Sequence, residues 1–497
     1  MRLLEIVLST ANALALVSLV IPPLRAMRWM GLLAVFAALV AVLQVLVEGS
    51  RWQMVPAYAL TAVLLLIWLI GSTTANRAQV ALPIAGAGIG LGVLVLAVSI
   101  ALPVALPVFR FPKPTGPYSI GSLAYHWVDT SRAELFTADP NDHRELMAQV
   151  WYPAWNQPSK PRVPYMEDAG DVTTAMARIV HLPRLLFGHF KYVTTNAVRA
   201  APVADGGSTY PVLIFLSGTG GFRASNTFQI EELVSHGYVV VGLDQPGGSA
   251  AVRFPDGRLV SVLARDQIQA LITQSTSPRR EAPALNGQTL ENGIVPYFAQ
   301  DASFAIDQLI ALTKGDPNSL LAGQLDLQRV GVFGISQGAI VAAEACRRDA
   351  RIRASLMMDA AMPADVVRVG LRQPCMWITR PGRDMRLERS RSGGWPEEAI
   401  TETLTTMRTV FDMHAQGSAY YLDAPGMFHV NFTDAPFWSP ITSQLGLTGP
   451  VDGKRMFDIV NAYSVAFFDK YLKGRPEALL DGPAKQLSGG IPRKAIG

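Results

Sequence analysis

Charge is what the first 109 residues lack. Only Arg2, Glu5, Arg25, Arg28, Glu48, Arg51 and Arg77 are charged there, although the 497-residue chain carries Lys+Arg 43 and Asp+Glu 39. A segment so poor in charge cannot present a solvated globular surface. Its four apolar stretches, near 3–21, 29–47, 52–71 and 78–109, each have the roughly 20 residues that a bilayer-crossing helix needs. Cysteine is nearly absent as well: Cys346 and Cys375 show no metal-ligand spacing and leave the redox compartment open. Lys/Arg clusters with interleaved aromatics are missing, so the net charge of +4 does not mark a nucleic-acid partner.

The first stretch lacks a small-residue cleavage site and is followed at once by three more, which makes it an anchor rather than a signal peptide. Gly86, Gly88, Gly90 and Gly92 lie inside the fourth stretch, not after a soluble strand, so they read as close helix packing and not as a dinucleotide loop. No charge sits at midplane depth, the usual mark of a transport path. The positive-inside count is nearly balanced, with Arg25, Arg28 and Arg77 against Arg2, Arg51, Arg110 and Lys113. An even number of spans puts the rest of the chain on the side of the N-terminus, read here as the extracytoplasmic one.

From residue 110 the composition is that of an ordinary globular domain. The connector at 111–117, rich in Pro and Gly, cannot continue a helix. Strand-length apolar runs follow near 146–152, 210–216, 238–243, 330–333, 354–358, 376–379 and 419–422. Helical patterns fall near 228–236, 297–313, 397–416 and 455–472. This alternation predicts an α/β domain over 110–475, a mostly parallel sheet flanked by helices. The stretch from 153 to about 207 reads as polar and irregular. An insertion near 253–293 reads equally as a lid or a surface excursion, and 476–497 as a loose tail.

The stretch around which this domain is organised is Arg329-Val-Gly-Val-Phe-Gly-Ile-Ser-Gln-Gly-Ala-Ile-Val-Ala-Ala-Glu344. It reads as buried strand, sharp turn and helix, with Gly334-Ile-Ser-Gln-Gly338 as the G-x-S-x-G pattern of a nucleophile elbow. A serine on so tight a turn leaves no room for side chains two positions either side, hence the glycines.

A serine hydroxyl needs a base, and a histidine oriented by a carboxylate is the usual solution. Of seven histidines only His414 and His429 follow Ser336. His414 reads as a satisfied helical residue, while His429 sits in a loop after the last strand, where it can reach back over the sheet edge. His236, before Gly237, reads as a helix C-terminal cation. Two carboxylates follow strands, Asp359 and Asp384, and the residues alone do not separate them; Asp365 is a weaker third. Oxyanion donors are expected from the N–H of Gln337 and from the turn Ser217-Gly-Thr-Gly-Gly221, with Thr219 as its donor. That turn lacks the Lys and following Ser/Thr of a phosphate loop, and no metal or organic cofactor is expected.

These residues resemble the platelet-activating factor acetylhydrolases of the plasma, lipoprotein-associated type, within the α/β-hydrolases. The likeness runs from about 116 to 435. It includes Gly116-Pro-Tyr-Ser-Ile-Gly121, Val150-Trp-Tyr-Pro153, the turn from Phe215 to Arg223, the elbow from Asp326 to Gly338, Leu356-Met-Met-Asp-Ala-Ala-Met-Pro363 and Phe428-His-Val-Asn-Phe-Thr-Asp434. The resemblance implies an α/β-hydrolase fold and assigns the acid to Asp359 over Asp384. The chain departs from the family at Ile335, where His is usual, at Thr219, where an apolar residue is usual, and at Asp244-Gln-Pro-Gly247.

The expected protein is therefore a membrane-anchored serine esterase or lipase with Ser336, Asp359 and His429 as its catalytic residues. Its expected substrate is a short-acyl or oxidised phospholipid or similar lipid ester. Two alternatives are a general carboxylesterase or acyltransferase on soluble esters and a non-catalytic membrane scaffold. The oligomeric state is not legible.

Overall fold

A computed structural model describes residues 1–21, 24, 31–73, 82–204, 209–414, 418–481 and 491–494. Arg25, Arg28 and Arg77, on which the orientation count depends, lie outside the described residues, as do 29–30 and 78–81 of the expected spans. The chain divides into two units: one of Met1–Phe109 with Pro183–Val193 and Trp438–Ile441, the other of the remaining residues.

The first unit is helical, with helices Leu3–Val20, Leu32–Val47, Val55–Thr73 and Leu82–Ala105. The segments Leu3–Val20, Trp52–Ile70 and Ala87–Ala105 are each long and apolar enough to cross a membrane, whereas Leu32–Val47 is a shorter apolar helix. Small residues line the packing seam: Ala11, Ala37 and Ala57 are buried together beside Leu8, which lets backbones approach. Asn12 Nδ2 donates to Ala57 O at 3.1 Å and Thr61 Oγ1 to Asn12 Oδ1 at 2.9 Å. The glycine expectation needs correcting. A Cβ on Gly92 would lie 2.9 Å from Leu16 Cδ1, but Gly88 and Gly90 face open space.

One end of this bundle is closed by charge. Arg51 donates from Nε and Nη2 to Glu5, both at 2.7 Å, and from Nη1 to Leu106 O at 2.6 Å, while Arg2 bonds Glu5 and Gly49 O. The start of the first helix, the turn before Trp52 and the end of the fourth helix therefore meet at one end. Phe190 packs edge-on against Phe109 and Trp438, which is why residues far along the chain belong to this unit.

The second unit is built on β1 Ser119–Ala133, β2 His143–Ala154, β3 Arg162–Pro164, β4 Thr194–Arg199, β5 Tyr210–Leu216, β6 Val239–Asp244, β7 Ala251–Arg253, β8 Leu259–Ser261, β9 Ala284–Leu285, β10 Gln288–Thr289, β11 Leu325–Ile335, β12 Ile352–Met358, β13 Cys375–Thr379, β14 Ala419–Asp423 and β15 Ile491–Lys494. Eleven of these form one sheet in the order β15-β14-β13-β12-β11-β5-β6-β2-β1-β4-β3. The strands from β14 to β6 are mutually parallel, and β2 and β1 continue antiparallel. β5, β6, β12 (apart from Arg353) and β13 are buried along their length, as near-continuous apolar runs covered on both faces must be.

Several expectations change. The stretch read as irregular holds helix Ala169–Ile179 besides β3 and β4; Val172, Ala175 and Met176 are its buried face, too short an apolar stripe to register as periodic. The 253–293 insertion is no free flap: Ile268, Leu271, Ile272 and Leu285 join the main core. In the expected loose tail, β15 pairs antiparallel with β14, covering an edge that would otherwise leave its backbone groups open.

Candidate active site

The carboxyl ends of parallel strands are where an open α/β sheet presents ligand-binding residues, and here they are stitched together. Ser336 N donates to Met358 O at 3.0 Å, Asp359 N to Ile378 O at 3.1 Å, and Ala424 N to Thr379 O at 2.7 Å. The ends of β11, β12, β13 and β14 thus form one rim, and each delivers a residue to it.

Ser336 ends β11 at φ 55 and caps helix Gln337–Arg348. Its neighbours explain the glycines. A Cβ on Gly334 would lie 2.4 Å from Gly338 C, and one on Gly338 would lie 2.0 Å from Leu216 O. Both obstacles are backbone, so only glycine fits. Asp359 is also at positive φ, 48, and these two are among six such non-glycine residues described. Strain of this kind persists where surrounding bonds over-determine it.

The structure brings His429 and Asp359 together: Nδ1 and Oδ2 are 2.7 Å apart, with the aspartate side chain fully buried and the histidine 21% exposed. Thr379 Oγ1 donates to Asp359 Oδ1 at 3.0 Å, and Arg380 Nε to Oδ2 at 2.8 Å. Burial alone would raise the carboxyl pKa, but the Arg380 guanidinium and the bond to His429 hold it down at about 2, so Asp359 is ionised at neutral pH. Because Nδ1 faces this carboxylate it carries the proton, and Nε2 is left as the basic nitrogen. No hydrogen bond joins Ser336 Oγ to the imidazole among the described residues; such contacts often close only in the Michaelis complex.

Asp384 does not reach the histidine ring. Its Oδ2 accepts the Gly426 N–H at 2.9 Å, anchoring the loop that leads to His429. Asp365 is engaged by Arg368 and Arg347 on the surface. His414 is buried at the end of helix Glu397–Met413, with Nε2 2.8 Å from Gln373 O, and His236 pairs with Glu232 at 3.2 Å.

On the oxyanion side, Gly218 comes so close that a Cβ there would be 3.1 Å from Ser336 Cβ. Thr219 Oγ1 donates to Gln337 Oε1 at 2.6 Å, and Gly220 N bonds Gly248 O at 2.8 Å. The N–H groups of Thr219 and Gln337 have no acceptor among the described residues, the latter because it opens a helix. Helix Ala169–Ile179 completes this side: a Cβ on Gly220 would meet Ile179 Cδ1 at 2.7 Å, and Asp171 holds Arg253 of β7 at 2.6 Å.

Sequence reasoning missed Arg380, Glu388, Trp395 and Asp434. Glu388 Oε1 accepts the His429 N–H at 3.2 Å, and its other oxygen binds Arg380 Nη1. The Trp395 ring lies 4.7 Å from the His429 ring and 5.1 Å from Arg380 Cζ. Asp434 accepts Thr227 N at 2.8 Å, Phe228 N at 3.1 Å and Tyr165 Oη at 2.9 Å, pinning the far end of the histidine loop to a helix start. One signal was readable: a charge directly at the end of an apolar strand, as at Arg380, needs a partner there. Among the described residues no cluster of His, Cys, Asp and Glu could hold a metal.

Comparison with known proteins agrees with this architecture. The chain is 24% identical over 380 residues to platelet-activating factor acetylhydrolase of Cavia porcellus, covering 73% of this chain and 78% of that protein. It is 22% identical over 400 residues to the Gallus gallus enzyme of the same name, covering 75% and 87%. A solved structure of ferulic acid esterase from Streptomyces cinnamoneus aligns with a TM-score of 0.58 at 26% identity, covering 78% of this chain and 100% of that one. Residues 105–478 match the family described as platelet-activating factor acetylhydrolase, isoform II, and the chain, an ester hydrolase of α/β fold, belongs to that family.

Proposed function

We propose that this chain is a membrane-anchored serine hydrolase of lipid esters, working through an acyl-enzyme on short-acyl or oxidised phospholipids. The observation that carries the reading is the 2.7 Å contact of His429 Nδ1 with buried Asp359, on the same strand-end rim as the strained Ser336 elbow. His429 Nε2 takes the Ser336 proton as Oγ attacks the ester carbonyl. The N–H groups of Thr219 and Gln337 stabilise the oxyanion. The imidazolium then protonates the leaving alcohol, and water, activated by the same nitrogen, releases the acid and restores the serine. No metal or organic cofactor takes part.

Membrane anchoring is supported by the three span-length apolar helices and by the large apolar side chains they expose, among them Leu3, Leu91 and Leu94, 60–72% exposed. Such a surface is stable against lipid, not water. A second reading, hydrolysis or acyl transfer on soluble esters, is favoured by the likeness to a ferulic acid esterase.

The test is fluorophosphonate labelling of the detergent-purified chain together with hydrolysis of p-nitrophenyl esters of graded acyl length. Labelling and hydrolysis should both vanish in Ser336→Ala, and equal labelling of the variant would remove the serine from the mechanism. Faster release from acetyl-phospholipid vesicles than from aryl esters supports the lipid substrate; the reverse order supports the soluble one. Protease digestion of the domain in intact spheroplasts would support the extracytoplasmic side, and digestion only after lysis would overturn it.

A further inference from the structure

We propose that the buried Arg380–Glu388 pair positions His429 and sets its basicity: the guanidinium opposes the charge the imidazole gains on taking the serine proton, and the Glu388 carboxylate returns part of it. This rests on the serine-hydrolase reading above. One oxygen, Asp359 Oδ2, accepts from both His429 Nδ1 at 2.7 Å and Arg380 Nε at 2.8 Å. The carboxylate that should stabilise the imidazolium is therefore already shared with a permanent cation. Glu388 joins the same circuit, binding Arg380 Nη1 with one oxygen and the His429 N–H with the other. Trp395 packs beside both, its ring centroid 5.1 Å from the guanidinium carbon and 4.7 Å from the imidazole centroid.

A purely structural arginine at this depth would have its donors satisfied. Arg380 is fully buried, yet its Nη2 has no hydrogen-bond partner among the described residues. Its bonds are instead concentrated on the residues that hold the histidine. The charged groups facing His429 can be named from each packed element: Asp359 after β12, Arg380 after β13, and Glu388 and Asp384 on helix Gly382–Ser392. Asp384 reaches the loop through Gly426 N–H, and Asp434, beyond the histidine turn, is committed to Tyr165 and two N–H groups. Arg386 and Arg389 turn away to Glu397, and Arg383 is exposed.

Opposite variants should move the catalytic pH profile in opposite directions. With the full chain in detergent and p-nitrophenyl acetate as probe, Arg380→Gln removes a cation beside the imidazole, so the acidic limb of kcat/KM should rise by about one pH unit. Glu388→Gln keeps the acceptor for His429 N–H but removes the counter-charge, so the limb should fall. Arg380→Lys should keep the limb of the parent. A structural role would lower activity or stability in all three without opposed shifts. Limbs that move in the same direction, or that stay within about 0.2 units of the parent, overturn the proposal. If Arg380→Gln does not fold, Glu388→Gln decides alone, and a limb at or above the parent's overturns it. Hydrolysis surviving in Ser336→Ala would instead overturn the underlying reading; an inactive Ser336→Ala with unshifted limbs overturns only this inference.

Discussion

Replacing each of the two strand-end aspartates by asparagine should separate their roles by orders of magnitude. Asp359 is fully buried and its two oxygens accept three side-chain donors, from Thr379, Arg380 and His429. Asparagine keeps the size but turns one oxygen into a donor and removes the charge. If that donor faces His429, the imidazole loses the acceptor that fixes its tautomer, and a loss of roughly 1,000- to 10,000-fold in kcat is expected. Arg380 meanwhile loses one of two anionic partners in the interior. Breaking a buried pair costs about 3–5 kcal/mol, and because Glu388 still binds Arg380 the lower end applies.

Asp384 is different in kind. It accepts one N–H, from Gly426 at 2.9 Å, and its cation neighbour Arg383 is 3.9 Å away and 76% exposed, a contact that solvent reduces to almost nothing. Asparagine retains an acceptor for Gly426, so the cost is about 1 kcal/mol or less, with kcat changed only a few-fold. The assay is p-nitrophenyl ester turnover, read beside thermal unfolding and fluorophosphonate labelling to separate misfolding from lost chemistry. Asp384→Asn inactive with Asp359→Asn active would refute the argument, because it would mean that the 2.7 Å contact does not orient the base.

Two further outcomes follow from the same geometry. Gly338→Ala places a methyl 2.0 Å from Leu216 O; with backbone on the other side no rotamer can relieve it, so destabilisation of at least about 1–3 kcal/mol and loss of labelling are expected, and a variant with parental Tm and turnover would contradict the close approach. Glu231, buried and bonded to Asn196, has its pKa pushed by burial from 4.5 up to about 7. The folded state therefore holds this proton more tightly than the unfolded one; its contribution is full below about 4.5 and is lost as pH rises through about 7. Glu231→Gln should flatten the fall of Tm between pH 5 and 7.5, and an unchanged slope would assign that fall to other groups.

How much of this was legible follows from what each feature depends on. The central parallel strands are apolar runs buried on both faces, so they stand out one by one, and β5 lies where it was expected, at Tyr210–Leu216. β1 did not stand out, because its burial alternates and its end is open, and helix Ala169–Ile179 was hidden by its short apolar stripe. Helix Leu32–Val47 is described over 16 residues, about 24 Å against a hydrocarbon core of about 30 Å, whereas composition marked a span from 29, and 29–30 lie outside the described residues.

The elbow was readable because the restrictions that make it lie within five consecutive residues. Without the family resemblance the acid was not, because choosing it requires knowing which strand lies beside the nucleophile. β12 pairs with both β11 and β13, and Met358 sits opposite Ile378. One step beyond that register, Asp359 meets Thr379 and Arg380, while Asp384, four residues farther along, has already turned into helix Gly382–Ser392. The same register makes Arg380 a partner of the aspartate that bonds His429. In the sequence Arg380 and Asp384 are two charges in one loop; in the fold one bonds Asp359 and the other holds the loop that leads to His429. In physical terms it is strand order that separates them, so the pH profile of Arg380 and Glu388 variants tests the sheet register as directly as it tests the chemistry.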